Sequence, residues 1–512
     1  MNSLLDEKWL EALPKKVTDN LVKQNTEIIK VICDRIKYFG DLRPTEINKL
    51  TNSLAFAGAD MKAINTIIQE YNGLNKTEIK KIFETAAKEN DAFAEQYYKY
   101  RGLIPRTHDS DEYLQNIYRA VMQSTLDSFE NLSDTYGFKL PGKKVMTLRR
   151  TYSQVIDKAI YEIQSGVTDY NTALRQSVKQ LADSGIRTIN WESGVSRRAD
   201  TSVRMNILDG VRRLNQEMLL YNGEKFGSDG IELSAHAISA PDHVNVQGRQ
   251  FTNAEFNKMQ EGESCTDING NTYVGFDRPI GEWNCKHFAF PIVIGISQPA
   301  HTDDELDTLR RNSAKKYEAT QEMRRRETEI RKLKDRRMAF SAAGNELDAK
   351  RAQRDLNTAL KDYGTFCKEN GLTPKYNRTE VDGYKRISVK GLQNLENSDI
   401  LKKKIGKGEI SLELNIEKQN RHILGAKEYK VGRSYFDVST ETLQDIVNKN
   451  YATGKVYITN SGRQIKEVVF LKNNIGVDVS DNLAENLTNG IKIHYSKTGT
   501  HIVPYRKKDD YE

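Results

Sequence analysis

SAHAISAPDHVNVQGRQF, residues 234–251, and GEWNCKHFAFPIVIGISQPAH, residues 281–301, are the two arms on which the reading of this chain turns. Eight histidines and cysteines lie between Arg101 and Ile400, and five of them fall in these arms: His236, His243, Cys285, His287 and His301. Two ligands from each arm, His236 and His243 with Cys285 and His287, make a set of one thiolate and three imidazoles. Zinc accepts these donors, and a structural zinc would staple a region poor in apolar mass. The spacing is unlike a CxxC pair, so the alternative stands that these are polar residues bonding loop backbone. A nucleophilic Cys285 would need a placed base and oxyanion donors, and the sequence displays neither.

Around the histidines the pattern is strand-like. Ile231 to Ala237 alternates, Gln247 to Phe251 reads as a turn into a second strand, and Phe288 to Ile296 as a third. The polar, glycine-rich run from Glu261 to Gly281 contains Asp267-Ile268-Asn269-Gly270-Asn271. That segment has the look of a calcium loop, but its glycine is misplaced and its twelfth position is Arg278 instead of Glu.

Outward on the N-terminal side, a helix is predicted from near Ser196, with Ala199, Val203, Ile207, Val211, Leu214 and Met218 on one stripe and Asn222-Gly223 as its stop. Its other face carries Arg197, Arg198, Arg204, Arg212 and Arg213, read either as a solvated face or as a contact for nucleic acid. Before it, helical spacing joined by short loops implies an antiparallel bundle. On the C-terminal side, Asp304 to Lys368 reads as a charged helical hairpin turning at Ala343-Gly344-Asn345, with a seam of Met323, Ile330, Leu333 and Phe340. Arg310 to Arg337 holds 12 bases and 5 acids, a surplus equal to the net charge of +7 of the whole chain. Such a helix either docks on DNA or an acidic surface or is solvated.

At 512 residues several modules are expected. The division read from pattern is a multidomain chain: a mainly α-helical bundle at 1–190, a central α+β region at 191–302, the charged hairpin at 303–368, a linker at 369–387, and a small separate α+β domain at 388–512. Four cysteines do not make a disulfide scaffold in so long a chain, which favours assembly in a reducing cytoplasm. The longest nearly apolar run, Phe288 to Ile296, is too short to span a bilayer. MNSLLDEKWLEALPKK mixes acids and bases where a secretory signal needs an apolar run.

In the last domain, strands are expected at 410–414, 466–471, 475–479, 491–495 and 501–503, and a helix at 442–451. Lys418-Gln419-Asn420-Arg421-His422 near its start, Gly432-Arg433-Ser434, and His494-Tyr495-Ser496-Lys497 through His501 near its end bring histidines, cations and hydroxyls without a carboxylate cluster for a metal. That is the composition metal-free RNA cleavage requires. One imidazole takes the 2′-hydroxyl proton, another protonates the leaving oxygen, and cations steady the phosphorane. His422 and His501 are the candidate acid–base pair, with Lys418, Arg421, Ser496 and Lys497 as further catalytic candidates and Gln419, Arg433 and Ser434 as substrate-binding ones. A core histidine or a polar edge-strand cluster is the alternative.

Two resemblances follow. The arms, with YEATQEMRRRETEIRKLKDRR and NGLTPKYNRTEVDGY after them, resemble the minor capsid protein 2 group of tailed phages over roughly residues 1–385. This implies a virion component in the capsid, near the portal and involved in head morphogenesis, with portal and capsid proteins, and phage DNA, as partners. Residues 388–512 are similar to the polymorphic toxin type 50 domain, grouped with barnase-, colicin- and RelE-like ribonucleases. Lys418, Gln419, His422, Ser434, Ser496, Lys497 and His501 fall on its motif. Together they imply a minor capsid protein, made in the host cytoplasm, carrying an RNA-cleaving domain that needs no metal and that an immunity protein would restrain. The rival readings are a purely structural capsid protein whose terminal domain is an inactive nuclease fold used for binding, and a bacterial polymorphic toxin.

Overall fold

The computed structural model describes residues 7–40, 53–100, 102–165, 170–190, 195–281, 285–381, 383–459 and 464–507. By internal contact the chain divides into two compact units, residues 1–387 and 388–512. Residues 191–194, where the sequence places the start of the central region, and Glu282, Trp283 and Asn284 of the second arm lie outside the described residues.

The first unit is mainly helical. Its helices are α1 (Glu7–Ala12), α2 (Lys15–Gly40), α3 (Ser53–Tyr100), α4 (Glu112–Asp134), α5 (Leu148–Gln164), α6 (Tyr170–Ser184) and α7 (Ala199–Lys225). Helices α2, α3 and α4 all pack on α7, whose predicted apolar stripe is buried in full. Because α7 is enclosed on more than that stripe, its polar residues are buried too and need partners. Asn215 Oδ1 accepts from Asn90 at 2.7 Å and Asn222 Oδ1 from the Tyr98 hydroxyl at 2.9 Å. The expected cationic face is therefore largely internal. Arg212 is 3% exposed, Arg198 pairs with Asp200 and Asp335, Arg204 lies 3.9 Å from Glu11, and of the five only Arg197 counts as exposed over the whole residue.

Short strands β1 (Gly137–Phe138), β2 (Met146–Thr147), β3 (Arg187–Ile189) and β4 (Ser196–Arg198) form a sheet in the order β2-β1-β3-β4. Next come β5 (Gly230–Leu233), β6 (Gln250–Thr252), α8 (Asn253–Gln260), β7 (Cys265–Thr266), β8 (Thr272–Tyr273) and β9 (Ala289–Ile292). The two arms meet here: β5 pairs antiparallel with both β6 and β9. Gln216 of α7 fixes this sheet to the bundle by bonding both the N–H and the carbonyl of Ala289 at 2.9 Å. Asp267 is committed within its own loop, accepting from Asn269, Asn271 and Tyr273, so the run that looks like a calcium loop is a self-closed turn.

The hairpin forms as expected from α9 (Asp303–Ala342) and α10 (Glu346–Glu369), with Gly344 at φ 71° in the turn and a capping box between Thr302 and Glu305. Met323, Ile330 and Leu333 pack with Leu356, Tyr363 and Cys367. Phe340, Ala349 and Ala352 instead join the core that runs through α2 to α7, so hairpin and bundle share one interior. The basic surface expected on α9 is split as a result. Arg331 pairs with Asp200, Asp335 with Arg198 at 2.5 Å and Arg336 with Asp183 at 2.6 Å, while Lys334 and Arg337 are buried. Arg310, Arg311, Lys315, Lys316 and Arg325 stay exposed.

The second unit is small and sheet-rich. It contains α11 (Leu392–Gly406), α12 (Ile416–Asn420), β10 (Tyr435–Phe436), α13 (Thr440–Asn450), β11 (Lys455–Ile458), β12 (Ile465–Phe470), β13 (Gly476–Val479), β14 (Glu485–Thr488), β15 (Gly490–Tyr495) and β16 (His501–Pro504). One antiparallel sheet runs β11-β12-β15-β16 and another β10-β13-β14. Ile491, Ile493 and Ile502 meet Leu401, Phe436, Leu443 and Val447 in its core. The strand expected at 410–414 reduces to two single bridges, Ser411 with Ser496 and Leu414 with Thr500. Beneath the sheet the buried Glu467 carboxylate accepts from the Tyr495 hydroxyl at 2.6 Å and from the N–H groups of Ala452 and Gly454. No described helix is long and apolar enough to cross a membrane.

Candidate functional sites

Strand alternation builds the site of the second unit. Along β15, Ile491, Ile493 and Tyr495 are buried, which turns Lys492 and His494 to the opposite face. Register then sets Lys466 of β12 opposite His494 and His494 opposite His501 of β16, a row across three strands. The ring of His494 stacks on His501 with centroids 4.7 Å apart, and His422, from the turn after α12, stacks on His501 at 6.3 Å. His422 Nδ1 bonds the carbonyl of Ser434 at 3.0 Å. A carbonyl only accepts, so Nδ1 carries the proton and Nε2 keeps its lone pair, the form a general base needs.

Burial lowers all three histidines. His494 and His501 fall to about 4, His494 helped by repulsion from His501, His501 by repulsion from His422, and both by Lys466. Lys418 and Arg421 add to the effect on His501, and Arg433 and Arg421 to that on His422. The stack is neutral at pH 7 and ringed by cations, a place where a bound phosphate would restore a proton to an imidazole.

The expected pair, His422 and His501, is thus brought together, with Lys418, Arg421 and Arg433 acting on it. Arg421 also pairs with Glu417 at 2.9 Å. Other candidates are committed to the fold. Gln419 is fully buried and bonds both the N–H and the carbonyl of Ile502, at 2.8 and 3.1 Å, so it ties α12 to β16. The Ser434 hydroxyl lies between Asp478 and the N–H of Val479, and that of Ser496 donates to Gly499 within the β15–β16 turn. Lys497 is exposed in that turn. Sequence reasoning gave no role to His494, Lys466 or Lys492. The period-two alternation of Ile491 to Tyr495 was the signal that puts the first and last on one face.

In the first unit the arms bring His243, Cys285 and His287 together, all buried, with ligand atoms within 4.8 Å of one another. Cys285 Sγ lies 3.2 Å from His243 Nδ1 and 3.3 Å from His287 Nδ1, and accepts the N–H of His287 at 3.4 Å. His236 stacks on His287 at 4.2 Å, and its Nε2 is buried with no hydrogen-bond partner. Burial pushes the Cys285 thiol up and the three imidazoles down, His287 most strongly. His301 is not drawn in; it lies 3.8 Å from Glu305. Cys285 and His287 also wall a cavity of about 580 Å³ lined by Arg212, Lys286, Lys316, Arg324, Lys375 and Arg378. Glu11 and Glu327, both facing Arg378, are buried acids beside them, and burial with the neighbouring cations brings Lys286 to about 7.

Fold and sites define a two-module chain, a mainly helical unit whose two arms hold a buried Cys-His cluster, followed by a compact sheet unit that presents a histidine stack. The family model for phage minor capsid protein 2 matches residues 5–366, and the chain belongs to that family. The model for bacterial toxin 50 matches residues 414–504, a span that includes the whole histidine stack. No curated protein and no solved structure matches the chain.

Proposed function

We propose that this chain is a portal-proximal virion component, made in the host cytoplasm and taking part in head morphogenesis, whose second unit is a metal-independent endoribonuclease with a barnase-, colicin- or RelE-like fold. The observation that carries the second half is the stack of three neutral imidazoles edged by Lys418, Arg421, Arg433 and Lys466. In this reading His422 Nε2 takes the proton of a ribose 2′-hydroxyl and the oxygen attacks the adjacent phosphorus. The 5′-oxygen leaves with a proton from His501, giving a 2′,3′-cyclic phosphate and a free 5′-hydroxyl. The cations stabilise the charge that builds on the phosphorane. An immunity protein would act by covering this face.

The capsid half rests on family membership, which the mainly helical first unit carries. The bases left exposed on α9 and the cation-lined cavity support contact with phage DNA. The test is RNA cleavage by residues 388–512 in EDTA, together with growth arrest on expression in a bacterium. Cleavage in wild type that is lost in His422→Ala and in His501→Ala supports the reading; cleavage that persists in the double variant overturns it.

A further inference from the structure

We infer that His243, Cys285 and His287, with His236 as the fourth ligand, form a structural zinc site that clamps the two arms of the first unit. Hydrogen bonding fixes which nitrogen of each ring faces the sulfur. His243 Nε2 lies 2.8 Å from the carbonyl of Arg278, which can only accept, so Nδ1 presents its lone pair toward Cys285. Arg278, held by both oxygens of Asp242, approaches that same Nδ1 at 3.4 Å, as a donor does toward a lone pair.

Gln247 fixes the second ring. Its Oε1 accepts the backbone N–H of His236 at 3.2 Å, which orients the amide, and it also lies 3.4 Å from His287 Nε2. That nitrogen therefore carries the proton, and His287 Nδ1 turns its lone pair on Cys285. Two imidazoles directed at one sulfur, each with its far nitrogen bonded to a protein acceptor, is the arrangement that orients histidine for a metal.

The distances agree. A tetrahedral zinc with Zn–S of ~2.3 Å and Zn–N of ~2.0–2.1 Å separates sulfur from nitrogen by ~3.6 Å. The two separations here are 3.2 and 3.3 Å. His236 stands outside the trio whose ligand atoms lie within 4.8 Å of one another; its ring stacks on His287, and its buried, unpartnered Nε2 is the further donor the arms offer, a polar atom whose cost coordination would remove. Between Ser239 and Val246 the one buried apolar side chain is Val246, so the clamp would fix this stretch against β9.

The experiment uses the full chain, free of any affinity tag and purified without chelator from cells grown with zinc. Elemental analysis should find about one zinc per chain. After exchange for cobalt(II), the absorption spectrum should show a thiolate-to-cobalt charge-transfer band that Cys285→Ser removes. His236→Ala should weaken metal retention ~10- to 100-fold while leaving that band. A folded wild-type chain that holds no zinc and gives no such band with cobalt overturns the site, whatever the variants do, and the four residues are then a hydrogen-bonded cluster. A site that keeps full affinity in His236→Ala overturns the fourth ligand.

Discussion

His501 shows how a single residue's environment decides whether the proposed chemistry operates at neutral pH. With its pKa near 4, about one molecule in a thousand carries the proton at pH 7, and about one in ten at pH 5. The base, His422, is also lowered, so it stays available as pH falls. The kcat/KM of the second unit should therefore rise from pH 7.5 to pH 5.5, since that parameter reports groups in the free enzyme. A profile that is flat or rises toward alkaline pH would assign the acid role to another group. His422→Ala and His501→Ala should each lower cleavage ~10²- to 10⁴-fold with the domain still folded, measured by turnover and by circular dichroism. The same lowered pKa values bear on stability. His494 and His501 bind protons more readily unfolded than folded, so their contribution is intact above about 6.5 and is lost as pH falls toward 4. The melting temperature of residues 388–512 should drop over that window, and less so in His494→Gln. The pair His422 and His501 was legible because both stand in polar words beside cations. The third ring was not, because only strand register puts His494 beside His501.

Elements were read well where one period governs them and poorly where burial mixes polarities. The stripe on α7 and the seam and turn of the α9–α10 hairpin follow from spacing alone. The arginines of α7 and the inner bases of α9 were misread because a charged residue at helical spacing gives no sign whether its partner is water or a carboxylate from a helix more than a hundred residues away, as Asp200 is to Arg331. The short, polar β14 and the polar helix α11 gave no pattern to see. Gly210 marks a close crossing of α7, where an added Cβ would lie 2.2 Å from Thr125 Oγ1 and 2.9 Å from the Phe83 ring. Gly210→Ala should cost about 1–3 kcal/mol, read by chemical denaturation of the full chain, through overpacking. Reversing Arg311, Lys315 and Lys316 together, on the part of α9 that stays exposed, should weaken binding to duplex DNA, with the larger loss at low salt. Binding that is unchanged at every salt concentration would return that stretch to ordinary solvation.

The whole molecule joins a phage minor capsid family to a toxin-type unit in one chain, and the boundary at Ile387 and Ser388 separates the main hydrophobic core of each unit. The texture change near residue 388 was legible because short alternating strands replace long helical periods. The common core of bundle and hairpin was not, since apolar residues such as Phe340 and Ala352 do not state which helix they will face. Separate cores predict that truncation after Tyr384 leaves capsid incorporation intact while abolishing RNA cleavage. The central claim, that a particle carries the nuclease unit as part of this chain, is tested most directly by quantitative peptide mapping of purified virions. Peptides from residues 388–512 should be present in the same molar amount as those from residues 1–387. Particles that lack the chain, or that hold its first unit without the second, would contradict it.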